Sequence, residues 1–316
     1  MSVGETGGRT QGSTWFQRFL LPGFALKAVI IGGGYATGRE LAEYFVPSGP
    51  WGGLAAMLLA TLIWSVVAAL TFALARKMRA YDYRSFFEGL LGPAWIAFEI
   101  AYLIFVVLIL AVFGAAAGAI GAATFGWPEL AGSVLLALAI LGFTAFGTAL
   151  VETLFKYASM LIYAVYALFL VFALASFGGL IASGFANAPP PSGNWVAGGI
   201  PYASYNIVGA VVILPVLRHL TSQRDAVIAG LIAGPLTMLP AILFFVAMMA
   251  FYPAIGGTVL VGCMFVAARV GLVDLIASGY RFLAWLFLAT IVLPLNTIGI
   301  WRLLRPAPAP PMEALP

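Results

Sequence analysis

Ile30-Ile31-Gly32-Gly33-Gly34-Tyr35-Ala36-Thr37-Gly38-Arg39-Glu40-Leu41-Ala42-Glu43-Tyr44-Phe45 lies inside the first long apolar run of the chain, and its reading decides the fold. A plain membrane anchor needs no glycine triplet. Each glycine weakens a helix by about 1 kcal/mol relative to alanine. Three in a row also leave backbone N–H and C=O groups free to face something other than the helix. In hydrocarbon such groups are costly unless they are buried in protein or line a wet cavity. An interrupted helix at membrane depth therefore predicts a binding site.

Composition supplies the membrane. Of 316 residues, 63% are apolar and 8% charged, with mean hydropathy +1.07; a soluble domain carries roughly 25% charged residues. The fold class is an all-α polytopic membrane protein. The net charge of +4 sits mostly in loops and does not point to nucleic acid. Single residues at Cys263 and His219 exclude an intrachain disulfide, a cysteine-rich metal site and paired-histidine metal motifs. No metalloprotease, Walker or Gly-x-Ser-x-Gly motif occurs, so neither an enzyme nor a metal or other cofactor is expected. Gly32-x-Gly34-x-x-x-Gly38 has the wrong spacing for a dinucleotide fingerprint.

Working outward, residues 1–15 read as a polar cytoplasmic tail, 16–304 as one transmembrane domain and 305–316 as a proline-rich tail. Lys27 within the apolar run, and no convincing small-x-small cleavage site, argue against a signal peptide. About eight spans are expected, at about 20–46, 52–76, 94–123, 129–150, 156–184, 195–218, 225–251 and 279–303. Residues 257–277 carry Arg269 and Asp274 and read as a helix lying on the outer surface. With the N-terminus inside, Arg9, Arg18, Arg76, Lys77, Arg79, Arg84, Lys156, Arg218, Arg224, Arg302 and Arg305 fall on the cytoplasmic side. Only Arg39, Arg269 and Arg281 fall outside. This positive-inside bias predicts a multi-pass protein of the cell (inner) membrane with both termini cytoplasmic.

Span 6 is the second irregular one: Gly198-Gly199-Ile200-Pro201-Tyr202-Ala203-Ser204-Tyr205-Asn206-Ile207-Val208-Gly209. Proline removes a backbone donor, and four polar-capable side chains follow it. Spans 1 and 6 are first and sixth in order, and some secondary transporters are two inverted five-helix repeats in which broken helices at corresponding positions flank a midplane site. Their free ends offer N–H groups to a carboxylate and carbonyls to a cation or ammonium.

Gly32 to Glu40 resembles the Gly-x-Gly-[Phe/Tyr]-Ala-[Ser/Thr]-Gly-[Gln/Arg]-Glu signature of the YkvI-type membrane permeases. These are related to the amino acid–polyamine–organocation superfamily. Tyr202, Tyr205 and Asn206 are similar to that family's span 6 run. The resemblance implies a LeuT-like inverted-repeat bundle with broken spans 1 and 6, here shortened to about eight helices from ten.

The expectation is a secondary transporter moving a small solute, an amino acid or related amine, coupled to sodium or protons. The alternative is a non-transporting membrane sensor or partner-binding protein. Candidate substrate contacts are Gly32, Gly33, Gly34, Tyr35, Thr37, Tyr202, Ser204, Tyr205 and Asn206, with Tyr102 added because a span 3 tyrosine lines the site in LeuT-like proteins. Thr290 and Thr297 are candidate cation ligands by the same resemblance; oxygen ligation suits a hard cation.

Lys27 is a candidate proton carrier or cation surrogate, with snorkelling or carboxylate pairing as the plain reading. Arg39, Glu40 and Glu43 are gating candidates, and Arg39 and Glu43 are spaced for a local ion pair. Glu99 is either functional or paired with an arginine. Gly114, Gly118 and Gly121 read as a helix-packing stripe, and 81–88 as an amphipathic interfacial helix. Expected partners are the lipid bilayer and a small-molecule substrate; a homo-oligomer is left open.

Overall fold

The computed structural model describes residues 13–30, 39–145, 148–191, 194–254 and 282–305, and no strand occurs among them. In chain order the helices are α1 (Leu21–Ile30), α2 (Arg39–Tyr44), α3 (Gly49–Met78), α4 (Tyr83–Leu91), α5 (Trp95–Phe125), α6 (Glu129–Ala145) and α7 (Thr148–Ala186). They continue with α8 (Trp195–Asn206), α9 (Gly209–Val212), α10 (Gln223–Met248) and α11 (Phe282–Leu304). Gly32, Gly33, Gly34, Tyr35 and Thr37, the side chain of Arg39 and the 257–277 segment lie outside the described residues.

Five described stretches are long and apolar enough to cross a membrane: Glu40–Met78, Tyr83–Ala122, Ala164–Ala186, Gln223–Phe251 and Phe282–Leu304. The protein is thus all-helical among these residues and built for a bilayer. Of the other three expected spans, span 1 falls partly outside the described residues. Span 4 has a shorter apolar stretch, Glu129–Phe143, and span 6 is segmented. Span 5 begins earlier than expected, because α7 runs 39 residues from Thr148, about 58 Å at 1.5 Å per residue.

α3 and α10 form the central seam. Gly230 lies against the Ala69 backbone and Gly234 against Ser65 and the Thr61 carbonyl, where a Cβ would not fit. Pro235 lacks the N–H that would serve the Leu231 carbonyl; Ser65 Oγ donates to that carbonyl instead, at 3.1 Å. A capping box starts α10: Asp225 N–H donates to Ser222 Oγ at 3.0 Å, and Ser222 N–H to Asp225 Oδ2 at 3.2 Å. α1 packs on α10, with Gly23 against Leu236, and α8 packs on α3, with Gly199 against Ala56.

The glycine stripe is helix packing. Gly118 meets the Glu129 carbonyl, Gly132 meets that of Ala117, and Ser133 Oγ donates to the Gly114 carbonyl at 2.8 Å. The outer faces of α5 and α7 stay exposed at Val107, Leu168 and Val171, as lipid-facing surfaces require. α4 is amphipathic as expected, burying Phe86, Phe87 and Leu90 and exposing Arg84 and Glu88.

One end of the bundle gathers its charges. Arg18 pairs with Asp225, Arg76 donates to the Leu220 and Thr221 carbonyls, and Lys77 to those of Arg302, Leu303 and Arg305. Arg18, Arg76, Lys77 and Arg302 thus share one end of the bundle.

Candidate functional site

The α8–α9 region is where an interruption is described. Pro201 sits inside α8 without ending it, because it removes only one backbone donor. The helix ends at Asn206, and Ile207–Val208 lead into the four residues of α9 and a 3-10 turn, Leu214–His219. Asn206 Nδ2 turns back to the Tyr202 carbonyl at 3.0 Å, and Ser204 Oγ to that of Ile200 at 2.7 Å. Such back-bonding gives the carbonyl a second donor and loosens the helix beyond it. Trp64 Nε1 donates to the Ala203 carbonyl at 3.0 Å, clamping α3 to the same turn.

Span 1 packs against span 6 in two places. A Cβ on Gly198 would overlap the Tyr44 carbonyl oxygen, so α2 and α8 touch backbone to backbone. Gly209 of α9 meets Leu26 and Ile30 of α1, with a Cβ there only 3.0 Å from Leu26 Cδ1. Thus α2 packs with α8 and α1 with α9, an antiparallel pairing of the halves.

The aromatic rings converge here. Tyr202 is fully buried, edge-on to Phe45 at 4.8 Å and beside Trp64 at 5.5 Å, Tyr44 at 5.6 Å and Tyr205 at 5.8 Å. Next to them lies a cavity of about 270 Å³ lined by Glu43, Tyr44, Ser48, Asn194, Gly198 and Pro201, among others. The structure brings Tyr202 and Tyr205 against Tyr44, which lines the cavity with Glu43, while Ser204 and Asn206 bond back onto their own helix. Glu40 is buried on α2.

Others are placed elsewhere. Tyr102 stacks on Tyr83 at 5.4 Å and Phe98 at 5.7 Å, in a separate aromatic group and not with the span 6 tyrosines. Lys27 is buried but lines a different cavity, between α7 and α10.

Thr290 is half-buried with its hydroxyl on the Leu286 carbonyl at 2.8 Å. Thr297 faces outward, bonded to the Leu293 carbonyl at 2.7 Å. Both lie in π-turns flanking Pro294, Leu288–Val292 and Leu295–Gly299, and π-turns recur at functional positions. The first of these touches α8. Glu99 takes the Tyr83 hydroxyl at 3.4 Å; no arginine reaches it among the described residues, since Arg84 pairs with Glu88 one turn on at 2.9 Å. Among the described residues no group of three metal-ligating side chains forms.

The sequence reading missed Tyr44, Phe45 and Trp64. A mid-span tryptophan was the available signal, because a buried indole N–H needs an acceptor. Searches found no matching family model, no matching curated protein and no matching solved structure.

Proposed function

We propose that this chain is a secondary transporter that moves an amino acid or related amine by alternating access around spans 1 and 6. The observation that carries the reading is the antiparallel pairing of their halves around the turn at Ile207–Val208. Two pairs of contacts correspond when α1 is exchanged with α8, α2 with α9 and α3 with α10. The α1–α10 packing becomes α8–α3, and α2–α8 becomes α9–α1. That is the relation expected of a LeuT-like inverted repeat. Tyr35-Ala36-Thr37 and Tyr202-Ala203-Ser204 repeat the same pattern in the two spans.

An amine substrate is supported by Glu43 and Tyr44 in the cavity wall. A carboxylate attracts an ammonium, and a ring face adds a cation–π contribution of about 0.5–2 kcal/mol. Sodium or protons as the coupling ion are the companion proposal.

The test is counterflow. Liposomes holding the purified protein and preloaded with an unlabelled amino acid or amine are expected to accumulate the labelled compound. The compound is chosen beforehand by thermal stabilisation with and without sodium; saturation at 100 times Kd stabilises by about 2.7 kcal/mol. Tyr205→Ala is expected to abolish exchange. Stabilisation without exchange would replace the transporter with the sensor reading.

A further inference from the structure

α11 carries a carboxamide on a side that points away from the bundle. Its π-turns, Leu288–Val292 and Leu295–Gly299, close their hydrogen bonds one residue later than an α-helix does, so each side of the helix recurs at a longer interval. Leu283, Phe287, Ile291 and Leu295 are fully buried, every fourth residue. Trp285, Ala289, Leu293, Thr297 and Trp301 are exposed at the same spacing, half a turn away. One side of α11 therefore packs on the bundle and the opposite side faces out.

Asn296 lies on the shoulder of that outer side and is exposed too. At 1.5 Å per residue it is about 12 Å along the helix from Leu304 and about 21 Å from Phe282, inside a hydrocarbon core roughly 30 Å thick. The side chain is too short to snorkel to either interface, as a lysine can. Asn296 Nδ2 donates to the Val292 carbonyl at 2.8 Å. Its second amide hydrogen and its Oδ1 make no hydrogen bond among the described residues. Lipid tails offer neither donor nor acceptor, and polar side chains within spans turn to protein or water.

We infer that the outer side of α11 is the contact between two copies of this chain, related by a two-fold axis along the membrane normal, with Asn296 hydrogen-bonded to Asn296 of the second copy. Copies that cross the bilayer in one orientation hold a given residue at one depth. A two-fold contact then asks for a self-complementary group near the axis. A carboxamide is such a group, because it donates and accepts: the free N–H of each Asn296 can reach the Oδ1 of the other. A different membrane protein would need a polar group placed at this same depth, whereas a second copy brings one. One asparagine in an otherwise apolar helix contact fixes both register and number of copies. The inference holds whether or not the chain moves a solute.

The test is energy transfer between full chains labelled at the N-terminal amine with donor or acceptor dye and mixed in phosphatidylcholine liposomes. Transfer above random proximity is expected, falling on dilution with lipid along a monomer–dimer isotherm. Asn296→Leu should raise the dissociation constant roughly tenfold, the scale of losing two interhelical side-chain hydrogen bonds. Asn296→Gln, which keeps the amide, should stay near the wild type. In a Cys263→Ser background, Leu293→Cys, three residues before Asn296 and on its side of the helix, should give a disulfide-linked dimer on oxidation. Leu138→Cys, exposed on α6, should not. Transfer no greater than random proximity, an unchanged constant in Asn296→Leu, or equal crosslinking at Leu138→Cys would each overturn the inference. If Asn296→Leu does not fold, the two cysteine variants decide it.

Discussion

Gly198 carries a hydrogen where any other residue would push a methyl group into the Tyr44 carbonyl. Contact between α2 and α8 depends on that missing atom, and so does the position of Tyr44 beside Tyr202 and Tyr205. The α8 backbone is held on α3 by the Trp64–Ala203 hydrogen bond, which limits how far it can yield. Overpacking at such a contact costs about 1–3 kcal/mol. Gly198→Ala is therefore expected to lower the thermal unfolding midpoint and to weaken solute binding together. A variant with the wild-type midpoint and full binding would show that the two helices separate freely. At this scale the sequence was readable where chemistry is unusual for a membrane: Tyr202, Ser204, Tyr205 and Asn206 stood out as polar groups in an apolar span. Tyr44 did not, since an aromatic near a span end has an ordinary interfacial explanation.

The helices themselves were legible because long apolar runs have few other uses, but their ends were not. α8 continues through Pro201 and stops at Asn206, since one missing donor is tolerated while side-chain back-bonding and the clamp from α3 loosen the next turn. α4 shows an end that could be read. Asp82 accepts the Ser85 N–H at 2.9 Å, the usual N-cap bond. Hydrogen bonds from the Ser85 backbone, then its side chain, hold the Asp82 carboxyl below its ordinary value of 3.8, against a smaller upward push from burial. A lowered folded value means the charged form is the one that stabilises. The contribution is present above the unfolded value and is lost as pH falls through the folded one. Asp82→Ala is expected to cost about 0.5–2 kcal/mol at neutral pH. The gap in unfolding midpoint should narrow as pH drops below 3.8. Asp82→Asn, which still caps, should keep most of the stability. A gap that stays constant through that range would mean the charge does not contribute.

Across the whole molecule, the pairing of distant helices was the least legible feature. Nothing local to Gly230 announces Ala69, and the seam of α3 with α10 follows from two glycine-containing faces finding each other. The charged end of the bundle was half legible: a positive-inside count gathers its lysines and arginines but not their partners. Arg18 Nη2 lies 2.8 Å from Asp225 Oδ2, which also receives the Thr221 hydroxyl at 2.6 Å. With Arg76, Lys77 and the Gln223–Ala73 bond at 2.7 Å, this ties the lead-in segment, α3, the turn before α10 and the end of α11. Side-chain exposure is 7% for Asp225 and 31% for Arg18. Breaking a fully buried pair costs about 3–5 kcal/mol; here the Arg18 side is partly open to water, and Asp225 keeps its hydroxyl and backbone donors, so about 1–3 kcal/mol is expected. Asp225→Asn also disturbs the capping box, so a single variant cannot isolate the pair. The double-mutant cycle of Arg18→Gln and Asp225→Asn, read by thermal unfolding, removes that ambiguity, because the cap loss is common to both Asp225 variants. A coupling of about 0.5–3 kcal/mol is expected for contacting residues, with the double variant losing less than the two singles added. Strict additivity would reduce the pair to two side chains that merely lie close, and the closure of this end would then rest on the carbonyl contacts of Arg76 and Lys77.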